Sequence, residues 1–218
     1  MRAMILAAGK GERMRPLTDH TPKPLLKVGG KALIVWHIEH LAKAGFKEIV
    51  INHAHLGEQI EVALGDGKQW DVQINYSPET VALETAGGIA NALPLLGESP
   101  FLVVNGDTFT DINFAHVSLK KPNLAHIVMV NNPPQHQQGD FALNNGLLTV
   151  VGAAKLTFSG VGVYHPDLFA SVKRGSAAKL APLLKVAMAQ CKVTGQHHQG
   201  AWHDIGTPQR LAELDASL

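Results

Sequence analysis

Leu6-Ala7-Ala8-Gly9-Lys10-Gly11-Glu12-Arg13-Met14-Arg15-Pro16-Leu17-Thr18 continues a short apolar run, Met4-Ile5-Leu6, that reads as a buried strand. Small residues after the strand let the backbone pass close to a ligand. Gly9 and Gly11 permit a tight turn with several N–H groups pointing one way, and such a nest binds anions. Lys10, Arg13 and Arg15 add three positive charges within six residues. A strand end, a glycine turn and clustered cations suit a polyphosphate. Standing alone, Gly-x-Gly would read as an ordinary turn with solvated basic residues.

The flanking sequence supplies more. In Pro22-Lys23-Pro24-Leu25, two prolines stiffen the backbone around a lysine, so its ammonium is held in place. Lys31–Gly45 carries Ile34, Ile38, Leu41 and Ala42 at helical spacing and stops at glycine. Phe46–Asn52 reads as a strand, Leu56–Leu64 as a helix and Val72–Tyr76 as another strand. Alternating strands and helices predict a largely parallel sheet covered on both faces. Beyond residue 110 a hairpin over Phe141–Val151, turning at Asn144-Asn145-Gly146, and loops dominate. The expectation is one three-layer α/β domain over residues 1–218, with a mixed, largely parallel, Rossmann-like sheet. Residues 1–110 would bind a nucleotide and residues 111–218 an acceptor.

Composition narrows the function. Hydrophobic residues are 45% and charged residues 17% of 218, a globular balance. A net charge of +1 argues against a large nucleic-acid footprint, so anion binding must come from local clusters. Cys191 is the only cysteine, which excludes an intrachain disulfide and a cysteine-based zinc site and fits a cytoplasmic protein. The apolar start, Ala3–Ala8, is too short for a signal peptide, and no run approaches the ~20 apolar residues of a membrane span. His197, His198 and His203 lack the companions of a zinc site and read as surface or packing residues.

Several further stretches can carry chemistry. Asn105-Gly106-Asp107 ends the apolar run Phe101–Val104, and ligands of open α/β sheets bind at that end of a strand. The tripeptide is equally good turn chemistry. Trp202-His203-Asp204-Ile205-Gly206-Thr207-Pro208 offers a second aspartate just before a helix that Thr207 would cap. In Glu84-Thr85-Ala86-Gly87-Gly88, small residues at a helix start leave room for a flat base and free N–H groups to read it. Asn52 ends a strand that would face this loop. Gly139-Asp140 could offer a carboxylate to sugar hydroxyls, and Gly160 interrupts the strand Thr157–His165.

"LAAGKGERMRPLT" with "PKPL" resembles the signature of the sugar-1-phosphate nucleotidylyltransferases, and further matches extend from residue 4 to residue 208. The resemblance implies UTP and a sugar 1-phosphate as substrates and Mg2+ as cofactor. Leu6, Ala8, Gly9, Lys10, Gly11, Glu12 and Arg13 would wrap the triphosphate, with Arg13 and Lys23 on its phosphates. Asp107 and Asp204 match the two metal-holding aspartates; Thr85, Gly87, Gly88 and Asn52 would surround the base; Asn105, Gly139, Asp140 and Gly160 would meet the sugar. Arg13, Lys23 and Asp107 are the candidate catalytic residues.

One departure matters. Many relatives place Glu-Lys-Pro before the Ser-Gly strand to hold the sugar; Val151–Leu156 has no glutamate, and Lys155 is no more than a candidate substitute. "ETAGGI", "GDFAL", "LTFSG" and "KLAPLL" come closest to the uridylyltransferases of bacterial cell-wall recycling, whose sugar bears a lactyl group on its 3-oxygen. Guanylyl transfer to mannose or heptose 1-phosphate, uridylyl or thymidylyl transfer to glucose 1-phosphate, and a non-catalytic nucleotide-sugar-binding module remain open alternatives.

Overall fold

The computed structural model describes residues 1–218. Its first half runs β1 (Ala3–Leu6), β2 (Lys27–Val28), β3 (Lys31–Ala32), α1 (Leu33–Lys43), β4 (Glu48–His53), α2 (Gly57–Leu64), β5 (Gln73–Pro78), α3 (Glu84–Leu96) and β6 (Phe101–Asn105). The second runs β7 (Thr108–Thr110), β8 (Ala125–Val130), β9 (Ala142–Asn144), β10 (Leu147–Thr149), β11 (Thr157–Tyr164), α4 (Leu180–Ala189), β12 (Val193–His197), β13 (Trp202–Asp204) and α5 (Pro208–Asp215).

Nine strands form one sheet in the order β5-β4-β1-β6-β11-β8-β12-β10-β9. The sheet is mixed, and both halves of the chain share it. β5, β4, β1 and β6 are mutually parallel, as the strand–helix alternation predicts. β11 then runs antiparallel to both β6 and β8, β12 is parallel to β8, and the β9–β10 hairpin closes the edge. Asn145 and Gly146 turn that hairpin with φ of 48° and 79°, the conformation that Asn-Gly supplies in a two-residue loop.

Both faces of the sheet are buried, which is why its central strands are continuously apolar. Met4, Val50 and Val103 face a core shared with α3 and α4. Their neighbours Ile5, Ile51 and Val104 face the opposite core, shared with α1 and α2. A third, smaller cluster joins Met14 of the glycine loop to Leu26, Val28 and Leu33 and to Ile205 and Leu214 near the C-terminus. No helix is long and apolar enough to cross a membrane.

The chain leaves β1 toward β4 on one side and β6 on the other, so a crevice opens at the carboxyl end of β1. Register sets what lines it. Leu6 lies opposite Asn52 at the end of β4 and opposite Asn105 at the end of β6.

Candidate active site

Three cavities meet at that crevice. The first, about 330 Å3, is lined by Leu6, Ala8, Gly9, Lys23, Asn52 and Thr85, among others. Its size is that of a small-molecule site. The second is lined by the loop Gly9–Met14 with Lys23 and Gly206. The third lies between β11 and β13 and includes Asn105, Ser159, Trp202, Asp204 and the segment around His136. Asp107 lines all three.

In the glycine loop Gly11, and not Gly9, takes the conformation that requires glycine. Gly11 is left-handed (φ 66°), and a Cβ there would meet Thr18 Cγ2 at 2.9 Å. Thr18 Oγ1 donates to the Gly11 carbonyl at 2.8 Å and pins the loop. The backbone N–H groups from Ala8 through Arg13 have no acceptor within the chain. These free donors share a cavity with Lys10, Arg13 and Lys23, an arrangement suited to an anion.

Asp107 and Asp204 come from opposite halves but sit side by side. β7 pairs antiparallel with β13, setting Thr108 opposite Asp204, and the Ile205 N–H donates to the Asp107 carbonyl at 3.0 Å. Asp107 Oδ2 accepts from Lys23 Nζ at 2.7 Å, and Asp204 Oδ2 accepts from Arg210 Nη1 at 2.5 Å. In each carboxylate Oδ1 stays free of protein donors. Two free carboxylate oxygens on one cavity wall, supplemented by substrate phosphate oxygens, are a donor set that fits Mg2+. Thr207 Oγ1 accepts from the Arg210 N–H and caps α5, so Asp204 is not the cap.

Around the base-side cavity two expectations are corrected. Gly87 and Gly88 are buried behind the wall. A Cβ on Gly87 would lie 2.4 Å from the Ser176 carbonyl, and the Ala86 and Gly87 N–H groups both donate to Ala178. Gly88 instead leaves room for Asn52 and Glu79, which a Cβ would approach to 2.8 and 2.7 Å. Only the N–H groups of Glu84 and Thr85 are without an acceptor at this helix start. Asn52 accepts from the Ala7 N–H and donates to Glu79 Oε1 at 2.6 Å. Glu79, buried and also accepting from the Leu83 N–H, lines the cavity. It stands at the carboxyl end of parallel strand β5, the position that makes Asp107 a candidate, so the same reading applied to β5 finds it.

Asn105 lines both the first and the third cavity. Gly160 adopts φ 82°, and a Cβ there would lie 2.6 Å from the Asn105 amide. The glycine thus gives Asn105 its place between the first and third cavities. Asp140, by contrast, does not line the cavity. Its Oδ1 is 3.1 Å from His136 Nε2 and its Oδ2 accepts from the Phe158 N–H. His136 lines the cavity in its stead. Gly139 (φ 62°) packs on Asn132 and the Lys155 backbone, and Lys155 contributes its carbonyl to Asn132 and not its ammonium to the cavity. His197 bonds Asn131 and His198 bonds Asp111, both at the surface.

Behind the site, His37 of α1 is 2% exposed and donates from Nε2 to the Thr108 carbonyl at 2.7 Å. Burial drives its pKa down from 6.5 to about 4, so it supports β7 as a neutral imidazole. Between pH 6.5 and 4 the unfolded chain therefore binds a proton that the native chain refuses. The His37 contribution to stability is complete above pH 6.5 and is lost as pH falls through this window, by about 3 kcal/mol in all. Urea unfolding at pH 7.5 and 4.5 checks this: the loss in His37→Gln should be clearly smaller than in the wild type.

The chain belongs to the nucleotidyl transferase family. A family model described as "Nucleotidyl transferase" matches residues 2–142. The N-acetylmuramate α-1-phosphate uridylyltransferase of Neisseria meningitidis is 58% identical, over 99% of this chain and 97% of its own length. The protein so named in Caulobacter vibrioides is 34% identical, over 99% and 96%. The fold matches a Bacillus anthracis structure described as a glucose-1-phosphate thymidylyltransferase in complex with sucrose. The TM-score is 0.86 at 20% identity, covering 100% of this chain and 94% of that one.

Proposed function

We propose that the chain transfers a uridylyl group from UTP to N-acetylmuramate α-1-phosphate, giving UDP-N-acetylmuramate and pyrophosphate in cell-wall recycling. The observation that carries this reading is the meeting of three cavities at Asp107: one for a base and ribose, one for a triphosphate, one for an acceptor. The two whole-length uridylyltransferase relatives support the choice of substrates. A reaction that consumes a nucleoside triphosphate belongs in the cytoplasm.

An oxygen of the sugar phosphate attacks the α-phosphorus, and the bond to the bridging oxygen of the β-phosphate breaks. The attacking group is already ionised, so no general base is required. Positioning and charge neutralisation carry the acceleration. The free N–H groups of the glycine loop, with Arg13 and Lys23, hold the departing pyrophosphate. Asn105 stands between donor and acceptor. Asp107 and Asp204 would hold Mg2+, which when bound offsets the repulsion between the two anionic substrates.

Pyrophosphate release across four nucleoside triphosphates and several sugar 1-phosphates tests the reading. UTP should exceed GTP by at least ~10-fold in kcat/KM. Comparable values would overturn the choice of base.

A further inference from the structure

The reacting end of the acceptor cavity holds Asp107 and Asp204, so it repels any negative charge not neutralised by a bound cation. An acceptor with a second anionic group, besides its phosphate, needs a donor elsewhere in the same cavity. Most polar side chains there are already committed. Thr108 Oγ1 donates to the Asn105 carbonyl, Thr157 Oγ1 to Asn132 Oδ1, and Trp202 Nε1 to the Ser159 carbonyl. Of the donors left, Asn105 lies at the border with the nucleotide cavity, the Ser159 hydroxyl is fully buried in β11, and Gln135 and His136 lie on the segment after β8. Among these only His136 can carry a positive charge.

Its surroundings are arranged for that task. Asp140 Oδ1 faces His136 Nε2 at 3.1 Å, and the second oxygen of Asp140 is tied to the Phe158 N–H of β11 at 2.8 Å. The imidazole is thereby oriented by a carboxylate of its own loop that is itself anchored to the central sheet. No side chain or carbonyl takes His136 Nδ1. An imidazole that donates from one nitrogen to a fixed carboxylate and from the other to a ligand carboxylate makes two charge-assisted hydrogen bonds.

We propose that His136, oriented by Asp140 and assisted by Gln135, binds the lactyl carboxylate of the acceptor and selects this sugar over N-acetylglucosamine 1-phosphate, which lacks the lactyl group. This rests on the acceptor assigned above. His136 is the contacting residue and Asp140 a positioning residue.

The test is calorimetric binding of both sugar phosphates to the full chain loaded with a non-hydrolysable UTP analogue and Mg2+, with steady-state kinetics alongside. His136→Ala should weaken the Kd for N-acetylmuramate 1-phosphate about 10- to 100-fold and bring it toward that of N-acetylglucosamine 1-phosphate. His136→Gln, which keeps a neutral donor, should fall between, as should Asp140→Asn. The kinetic loss should lie in KM for the sugar. Equal weakening for both sugars, or a change below ~2-fold for the lactyl sugar, overturns the role of His136. A wild-type protein that turns over other sugar phosphates but not N-acetylmuramate 1-phosphate overturns the acceptor assignment, and this proposal with it.

Discussion

Asp107→Asn and Asp204→Asn are each expected to lower kcat at least ~100-fold. The amide keeps the size of the side chain and leaves β7 and β13 paired, but it removes the charge that holds a hard cation. Each aspartate offers one free oxygen, the other being engaged by Lys23 or Arg210. Losing either should therefore lose the same ion. The double variant should then fall little further than the worse single one. Removing Mg2+ with a chelator should abolish turnover in the wild type, and restoring it should recover the rate. Multiplying losses would mean that the two carboxylates act separately. Because Thr207 caps α5, Asp204→Asn should leave thermal stability close to wild type. A destabilised variant with full activity would rule out the metal role.

Lys23→Met should cut kcat by about 100-fold or more while the KM for UTP moves far less. Lys23 has a side chain only 9% exposed, lines both nucleotide cavities, and is held by Asp107 and by flanking prolines. A fixed ammonium stabilises charge best where charge develops, and that is on the departing pyrophosphate. Methionine replaces the buried stem with little change in volume, so the fold should persist. If KM alone rises, the lysine binds ground state and transition state equally and has no special part in the chemistry.

Much of this was legible in the residues. Met4–Leu6, Ile49–Ile51 and Phe101–Val104 are apolar because both faces of their strands are covered, and Leu6, Asn52 and Asn105, at or just after their ends, line the crevice. The glycine loop and Asn105-Gly106-Asp107 stand at such strand ends, whereas Lys23 is marked by its flanking prolines, and the role of Asp107 comes from the family resemblance. The pairing of β7 with β13 does not: three-residue strands carry too little periodicity to announce a partner nearly a hundred residues away. β12, Val-Thr-Gly-Gln-His, has too few apolar residues to declare its place beside β8. Gly87 and Gly88 are ambiguous in sequence, since small residues serve close packing as well as close approach of a ligand. Asp140 is legible as a candidate carboxylate, but its commitment to His136 one helical turn earlier depends on the local loop geometry.

The β7–β13 ribbon also sets a schedule. A ribosome makes Asp107 long before Asp204, and at about 5–20 residues per second the interval is roughly 5 to 20 s. During that time the nascent chain already contains the parallel strands and the phosphate loop, yet only one of the two carboxylates. Met14, Leu26 and Val28 likewise wait for Ile205 and Leu214 before their cluster closes. Catalytic competence thus waits for Asp204, and the packing of the glycine loop waits for Ile205 and Leu214.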